Sequence, residues 1–331
     1  MAALTGDPIL SIRDLRVTFP TPAGPARAVR GVDLDVFAGE SVAVVGESGS
    51  GKSVTMLATL GLLSKAEVSG SVKYGTTELV GADNDTLRSV RGRRIAMVFQ
   101  DPMTSLNPVL SIGKQLALVM KAHQPNLSKK DCRAKAIDLL QQVAISQADR
   151  RIDAYPHELS GGMRQRVMIA MSIANDPEVL IADEPTTALD VTVQAQIMDL
   201  LSNLRVEKQL ALVLITHDLG VVAGSTDRVA VMYAGRIVER ASVLDVFARP
   251  QHPYTRALLE CLPRLDQKAE VVSSIGGTPP NPADLPPGCP FAPRCRLAVP
   301  SCSQVEPALE LFGASEVACP VVTGSPVDGF K

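Results

Sequence analysis

The sequence predicts an α/β protein with a mostly parallel sheet, followed by an irregular C-terminal region rich in Cys and Pro. Three observations carry that expectation. Short apolar runs at 41–45, 95–99, 179–182, 211–215 and 229–233 recur with helical patterning between them. Alternation of that kind implies parallel strands joined by right-handed crossovers. The 331 residues are 46% hydrophobic but include only seven Phe, four Tyr and no Trp, so the core is aliphatic, as buried parallel strands require. Five of the six Cys and 14 of the 24 Pro lie from Val246 onward, which places a boundary near residue 245.

In chain order, residues 9–37 read as two strands, the second alternating through Val32, Leu34 and Val36 before a turn at Gly39-Glu40. The run 41–45 enters a Gly-rich loop, and 54–63 continues as a helix. After the strand at 95–99 the pattern turns helical between about 101 and 175. Ser128 and Asp131 form a capping-box pattern ahead of apolar positions Ala134, Ile137, Leu140 and Ala144. An amphipathic helix separates the runs at 179–182 and 211–215. Helices at 243–248 and 254–262 then lead into Thr278-Pro279-Pro280-Asn281-Pro282 and Pro286-Pro287-Gly288, which continue neither regular structure. No internal repeat is present.

Composition excludes several classes. With 33 basic and 35 acidic residues the net charge is −2, and a nucleic-acid binder shows a basic excess or stripe. The longest stretch without a charged residue is the 13 residues 271–283, polar and Pro/Gly-rich. A membrane span needs about 20 apolar residues. Residues 1–7 lack the basic and apolar segments of a secretory leader. The expected setting is cytosolic.

Three motifs carry chemistry. Gly46-Glu47-Ser48-Gly49-Ser50-Gly51-Lys52-Ser53 fits G-x-x-x-x-G-K-S/T, between a predicted strand and a helix beginning near Val54. Glycines there let backbone N–H groups and a helix start face phosphate oxygens; the lysine reaches the β and γ phosphates and the serine hydroxyl ligates Mg²⁺. Residues 179–184 end an apolar strand in Asp183-Glu184. The first carboxylate, Asp183, suits the Mg²⁺ shell through a water, and the second suits polarising an attacking water. Leu159-Ser160-Gly161-Gly162-Met163-Arg164-Gln165 opens a helix with a capping serine and two glycines, a second anion-facing helix start.

The tail spaces Cys289, Cys295, Cys302 and Cys319 as C-x5-C-x6-C-x16-C. Cytosolic chains seldom keep disulfides, which leaves a metal site or free thiols. No C-x2-C pair of the zinc-knuckle kind occurs, and no His follows His252. Four thiolates suit an iron–sulfur cluster, and a four-ligand clip would order a tail with little core of its own. Cys132 and Cys261, on predicted helices, read as packing residues.

The motif set resembles the ATP-binding-cassette ATPases: Gly46 to Ser53, Gln100 after a strand, Leu159 to Gln165, the strand ending at Glu184, Ala188-Leu189-Asp190 and Thr216-His217-Asp218, in that order over about residues 9–245. Phe99-Gln100-Asp101-Pro102-Met103-Thr104-Ser105-Leu106-Asn107-Pro108, Met163 within the signature and His252-Pro253-Tyr254-Thr255-Arg256 resemble the D-type ATPase subunits of dipeptide and oligopeptide importers. That resemblance implies a P-loop ATPase core with an antiparallel β subdomain and an inserted helical subdomain, at 1–245, and a C-terminal domain at 246–331. It implies ATP sandwiched between two head-to-tail subunits, one contributing the Gly46 loop, the other Ser160, Gly161, Gly162 and Met163. By the same resemblance Glu184 is the general base, and His217 holds the γ-phosphate. Gln100 contacts Mg²⁺ and water, Asp190 reaches across the dimer, and Phe19 stacks on adenine. Cys289, Cys295, Cys302 and Cys319 would carry a 4Fe–4S cluster. The implied partners are an F-type ATPase subunit, two permease subunits and an external substrate-binding protein, at the cytoplasmic face of the membrane. Cargo other than peptide (nickel, glutathione, a glycan) is compatible with the same ATPase. DNA-repair relatives carry long coiled coils where this chain has 107 residues without heptads between Lys52 and Ser160. Ribosome-associated relatives carry two cassettes.

Overall fold

The computed structural model describes residues 6–187, 189–262 and 275–324. Ala188 and residues 271–274 of the uncharged stretch lie outside the described residues. In chain order the strands are β1 (Leu10–Thr21), β2 (Gly24–Val36), β3 (Ser41–Val45), β4 (Glu67–Tyr74), β5 (Thr77–Glu78), β6 (Ile95–Val98), β7 (Val179–Asp183), β8 (Ala211–Thr216), β9 (Arg228–Tyr233), β10 (Arg236–Ser242), β11 (Glu310–Phe312) and β12 (Ser315–Val317). Packing divides the chain into two units, one of residues 1–36, 41–81 and 216–331, the other of 37–40 and 82–215.

The first unit contains an antiparallel sheet in the order β2-β1-β4-β5. Leu10, Ile12, Leu15 and Val17 of β1 are all fully buried, although 12 and 15 differ in parity. A bulge between them restores the apolar face: Asp14 has φ of 43°, and the pairing with both β2 and β4 shifts there. Gly70 answers the bulge from β4; a Cβ at that position would stand 2.4 Å from the Asp14 carbonyl oxygen. The same unit pairs β3 in parallel with β9, and β9 antiparallel with β10. Helices Lys52–Thr59, Val243–Ala248 and Pro253–Glu260 belong to it.

The tail departs from the irregular chain expected of it. β11 and β12 form a short hairpin, and β12 pairs with β10 through Glu239↔Val317 and Arg240↔Glu316. Arg240 grips Glu316 with two N–H donors at 2.6 and 2.8 Å. Three-residue strands are too short to display alternation, so the pairing partner, not the pattern, defines them.

In the second unit β6, β7 and β8 run parallel. Every residue of β7 and of 211–215 is buried, and each Val, Leu or Ile so buried contributes about 1.5–3 kcal/mol. Helices Ile112–His123, Lys129–Gln142 and Gly161–Ile173 follow β6, as the helical patterning predicts. Ser128 caps the second of them, its Oγ accepting from the Asp131 N–H at 3.1 Å. Among the described residues no helix is long and apolar enough to cross a membrane.

Candidate functional site

The first unit shapes the Gly-rich loop between β3 and the helix Lys52–Thr59. Gly46 has no room for a side chain, because a Cβ would lie 2.2 Å from the Met232 carbonyl oxygen of β9. Gly51 caps the helix at φ of 102°, its α-carbon facing the Ala28 carbonyl on β2, a conformation that favours glycine. Lys52 is buried at 5% exposure and curls over the loop, donating to the carbonyls of Gly46 at 2.7 Å and Glu47 at 3.0 Å. Ser50 is buried, Ser53 and Val54 are half-buried, and Ser48 and Gly49 are exposed at the loop tip. Buried donors around a turn that ends in a helix start form a cradle for an anion. Phe19 is half-buried on β1 opposite Ala26. His217, directly after β8, is exposed.

The second unit holds the candidate water-activating groups. Asp183 ends β7 at 5% exposure. Glu184 follows with φ of 44°. Its carboxylate Oε2 accepts from Gln100 Nε2 at 2.8 Å and from Thr187 Oγ1 at 3.0 Å. Gln100 and Glu184, 84 positions apart, are therefore brought together; Thr187 carried no signal in the sequence. Ser160 caps the helix Gly161–Ile173, its Oγ accepting from the Met163 N–H at 3.3 Å. Asp190 caps the helix Val191–Lys208 through the Val193 N–H at 3.0 Å. The two helix starts abut, for a Cβ on Gly162 would stand 2.8 Å from the Val193 side chain.

Cys289, Cys295, Cys302 and Cys319 share one neighbourhood of the first unit. The Cys289 N–H donates to the Cys302 carbonyl at 2.7 Å. Burial pushes the Cys289 thiol up to about 11, with Cys302 and Cys319 adding to the rise; burial likewise raises Cys295 and Cys319. Among the described residues no group of three or more His, Cys, Asp or Glu side chains is gathered closely enough to hold a metal ion. The 4Fe–4S expectation thus finds the four thiols as neighbours without a closed cage. Cys132 is buried on the helix Lys129–Gln142, consistent with packing.

The loop, the capped helix starts and the carboxylate after β7 define a nucleoside-triphosphate-binding protein of the cassette type. Residues 29–187 match the model of the ABC transporter family, and 238–302 match that of the oligopeptide/dipeptide transporter C-terminal region. An oligopeptide transport ATP-binding protein of Escherichia coli is 48% identical over 320 residues, 96% of this chain and 95% of that protein. The namesake in Mycobacterium tuberculosis is 53% identical over 305 residues, 91% of this chain, which spans 50% of that longer protein. A solved ATP-binding cassette, MJ0796, described as a dimer in a post-hydrolysis state bound to ADP and Pi, superposes with a TM-score of 0.64. It is 31% identical and covers 71% of this chain and 98% of its own. The chain belongs to the ABC transporter family, in the branch of the oligopeptide transport ATP-binding proteins.

Proposed function

We propose that this chain is the ATP-hydrolysing subunit of a peptide importer, in which closure of an ATPase dimer on ATP drives transport. The observation that supports it most is the division of the motifs. One unit carries the phosphate cradle and the other carries the candidate base with its holder Gln100, beside a capped Ser160 helix start suited to a partner's nucleotide. Phosphoryl transfer to water is governed by positioning and charge neutralisation. The loop residues Gly46, Glu47, Ser48, Gly49, Ser50, Gly51, Lys52, Ser53 and Val54 bind the ATP, with Lys52 and the N–H groups of Ser48, Gly49 and Gly51 taking the phosphates. Phe19 takes the adenine, and Glu184 accepts the proton of the attacking water. His217 holds the γ-phosphate. Ser160, Gly161, Gly162 and Met163 face the second nucleotide, with Asp190 as a dimer contact. Ser53, Gln100 and, through water, Asp183 would hold Mg²⁺, which when bound neutralises phosphate charge; the buried Asp183 carboxylate suits a cation.

The C-terminal domain at 246–331 begins after residue 245 and lies in the same packing unit as the phosphate loop. The donor set there is all thiol, which suits an iron–sulfur cluster over a hard cation; Cys289, Cys295, Cys302 and Cys319 would hold it. Partners are an F-type ATPase subunit, two permease subunits and an external binding protein, with the chain peripheral at the cytoplasmic face of the cell membrane. A different cargo (nickel, glutathione or a glycan) leaves every residue role unchanged. The test is co-purification with these subunits and ATP-driven uptake of radiolabelled peptides into proteoliposomes. Lys52→Ala should lower ATP affinity at least about tenfold, about 1.4 kcal/mol, and abolish uptake. Unchanged affinity would remove Lys52 from the phosphate site, and uptake of another solute alone would reassign the cargo.

A further inference from the structure

The second residue of the phosphate loop is held by the C-terminal region. Both oxygens of Glu47 accept from Arg294, at 2.7 and 2.9 Å. The Glu47 backbone N–H donates to the Tyr254 hydroxyl at 2.8 Å. One loop residue is thus fixed by side chain and main chain at once, from partners more than 200 positions away in sequence. The Arg294 side chain is 4% exposed and that of Glu47 is 24% exposed, so the pair is partly shielded from water and salt.

The holders are themselves anchored. Arg294 also donates to the Tyr233 hydroxyl at 3.2 Å and to the Gly276 carbonyl at 2.9 Å. Phe291, from the same segment, packs its ring 5.3 Å from those of both Tyr233 and Tyr254. Burial raises the Tyr254 hydroxyl above its ordinary range, so it remains a neutral phenol. Two consequences follow for a loop that binds a triphosphate. A carboxylate beside the phosphates repels them unless it is neutralised, and Arg294 does so bidentately. A loop whose N–H groups must converge on phosphate oxygens also binds more tightly when its backbone is already fixed.

We propose that Arg294 and Tyr254 are positioning residues of the nucleotide loop, acting through Glu47, so that the C-terminal region sets the loop's affinity for ATP. The proposal rests on the reading of Gly46 to Ser53 as a phosphate loop. It is tested by titrating the full chain with a fluorescent ATP analogue and Mg²⁺, with thermal melts to confirm folding. Arg294→Ala should weaken binding about tenfold, about 1.4 kcal/mol. Arg294→Lys, which keeps the charge but not the fork, should fall between the two. In a Glu47→Ala background, Arg294→Ala should change affinity by less than about twofold, the non-additivity expected of residues that act as one unit. Wild-type affinity in Arg294→Ala, or the same tenfold loss without Glu47, overturns the proposal. Should Arg294→Ala fail to fold, Tyr254→Phe removes a single oxygen and should weaken binding about threefold; no change there overturns it equally. If Lys52→Ala also binds normally, the phosphate-loop reading fails; if Lys52→Ala loses binding and Arg294→Ala does not, the positioning proposal alone fails.

Discussion

Glu184 stands in the left-handed region at φ of 44°, where a side chain costs about 1–3 kcal/mol unless its surroundings compensate. Its N–H donates to the Ile215 carbonyl at 2.9 Å, and its own carbonyl accepts from Thr187 at 3.1 Å, which pins that conformation. Gln100 and Thr187 hold its carboxylate with neutral donors. The Asp-Glu pair after an apolar strand was legible in the sequence, but its backbone conformation was not, because it depends on a hydrogen bond to a neighbouring strand. His252 presents the opposite case, a residue of the tail motif with a structural task. It is 1% exposed, its Nδ1 accepts from the Tyr254 N–H at 3.0 Å, and its ring is bonded to the Ala318 backbone. Burial lowers its pKa to about 3, below the unfolded value near 6.5. The unfolded chain then binds the extra proton between those values, so stability falls as pH drops below about 6.5 and continues falling toward about 3. The slope approaches about 1.4 kcal/mol per pH unit. Glu239, buried nearby and accepting from the His252 N–H at 2.8 Å, is raised by burial and opposes this: its contribution is lost as pH rises through its folded pKa. Melting temperatures of wild type and His252→Gln from pH 7.5 to 5 provide the check, with a flatter profile expected for the variant. Parallel profiles would exclude His252 as the source.

At the scale of elements, the Gly-rich loop was legible because every requirement in it is local: a turn, a close approach and a helix start within eight residues. The clamp on Glu47 was not, since Arg294 lies 247 positions away and only tertiary packing joins them. The β11–β12 hairpin escaped for a related reason, being defined by pairing with β10. The segment around Cys289 shows how much the tail depends on one backbone position. Gly288 has φ of 69°, and a Cβ there would stand 2.3 Å from the Cys302 carbonyl oxygen, the same atom that accepts from the Cys289 N–H. Gly288→Ala should therefore push Cys289 away from Cys302 and destabilise the tail by about 2 kcal/mol or more, from left-handed strain and the clash together. Two measurements check it. The melting temperature should fall, and the broad absorbance near about 400 nm expected of an iron–sulfur chromophore in anaerobically purified protein should weaken or vanish. A colourless, zinc-containing wild type would dismiss the cluster while leaving the stability prediction standing.

Across the whole chain, the residues proposed for ATP hydrolysis are divided between two units, and neither holds the full proposed set. Lys52, Phe19 and His217 belong to one; Gln100, Asp183, Glu184, Ser160 and Asp190 belong to the other. The near-neutral charge of −2 supplies no long-range attraction that would hold subunits together without nucleotide. In the proposed cycle, association on ATP comes from contacts that ATP itself completes and is lost when hydrolysis removes them, a population shift driven by differential binding. Blocking the chemical step without touching the cradle separates the two halves of this cycle. Glu184→Gln keeps an acceptor for the Thr187 hydroxyl and removes the proton acceptor. It should bind ATP with an affinity within about twofold of wild type while turnover falls at least about a hundredfold, as loss of a general base does. With Mg²⁺ and ATP, and the partner ATPase subunit present, the variant should accumulate as an associated pair in light scattering, and the wild type should dissociate as ATP is consumed. Adding Ser160→Arg, which blocks the helix start offered to the partner's nucleotide, should abolish the association and leave this chain's own ATP affinity intact. Persistence of the pair in that double variant would place the closing contacts somewhere other than Ser160, and wild-type turnover in Glu184→Gln would remove the carboxylate from the reaction.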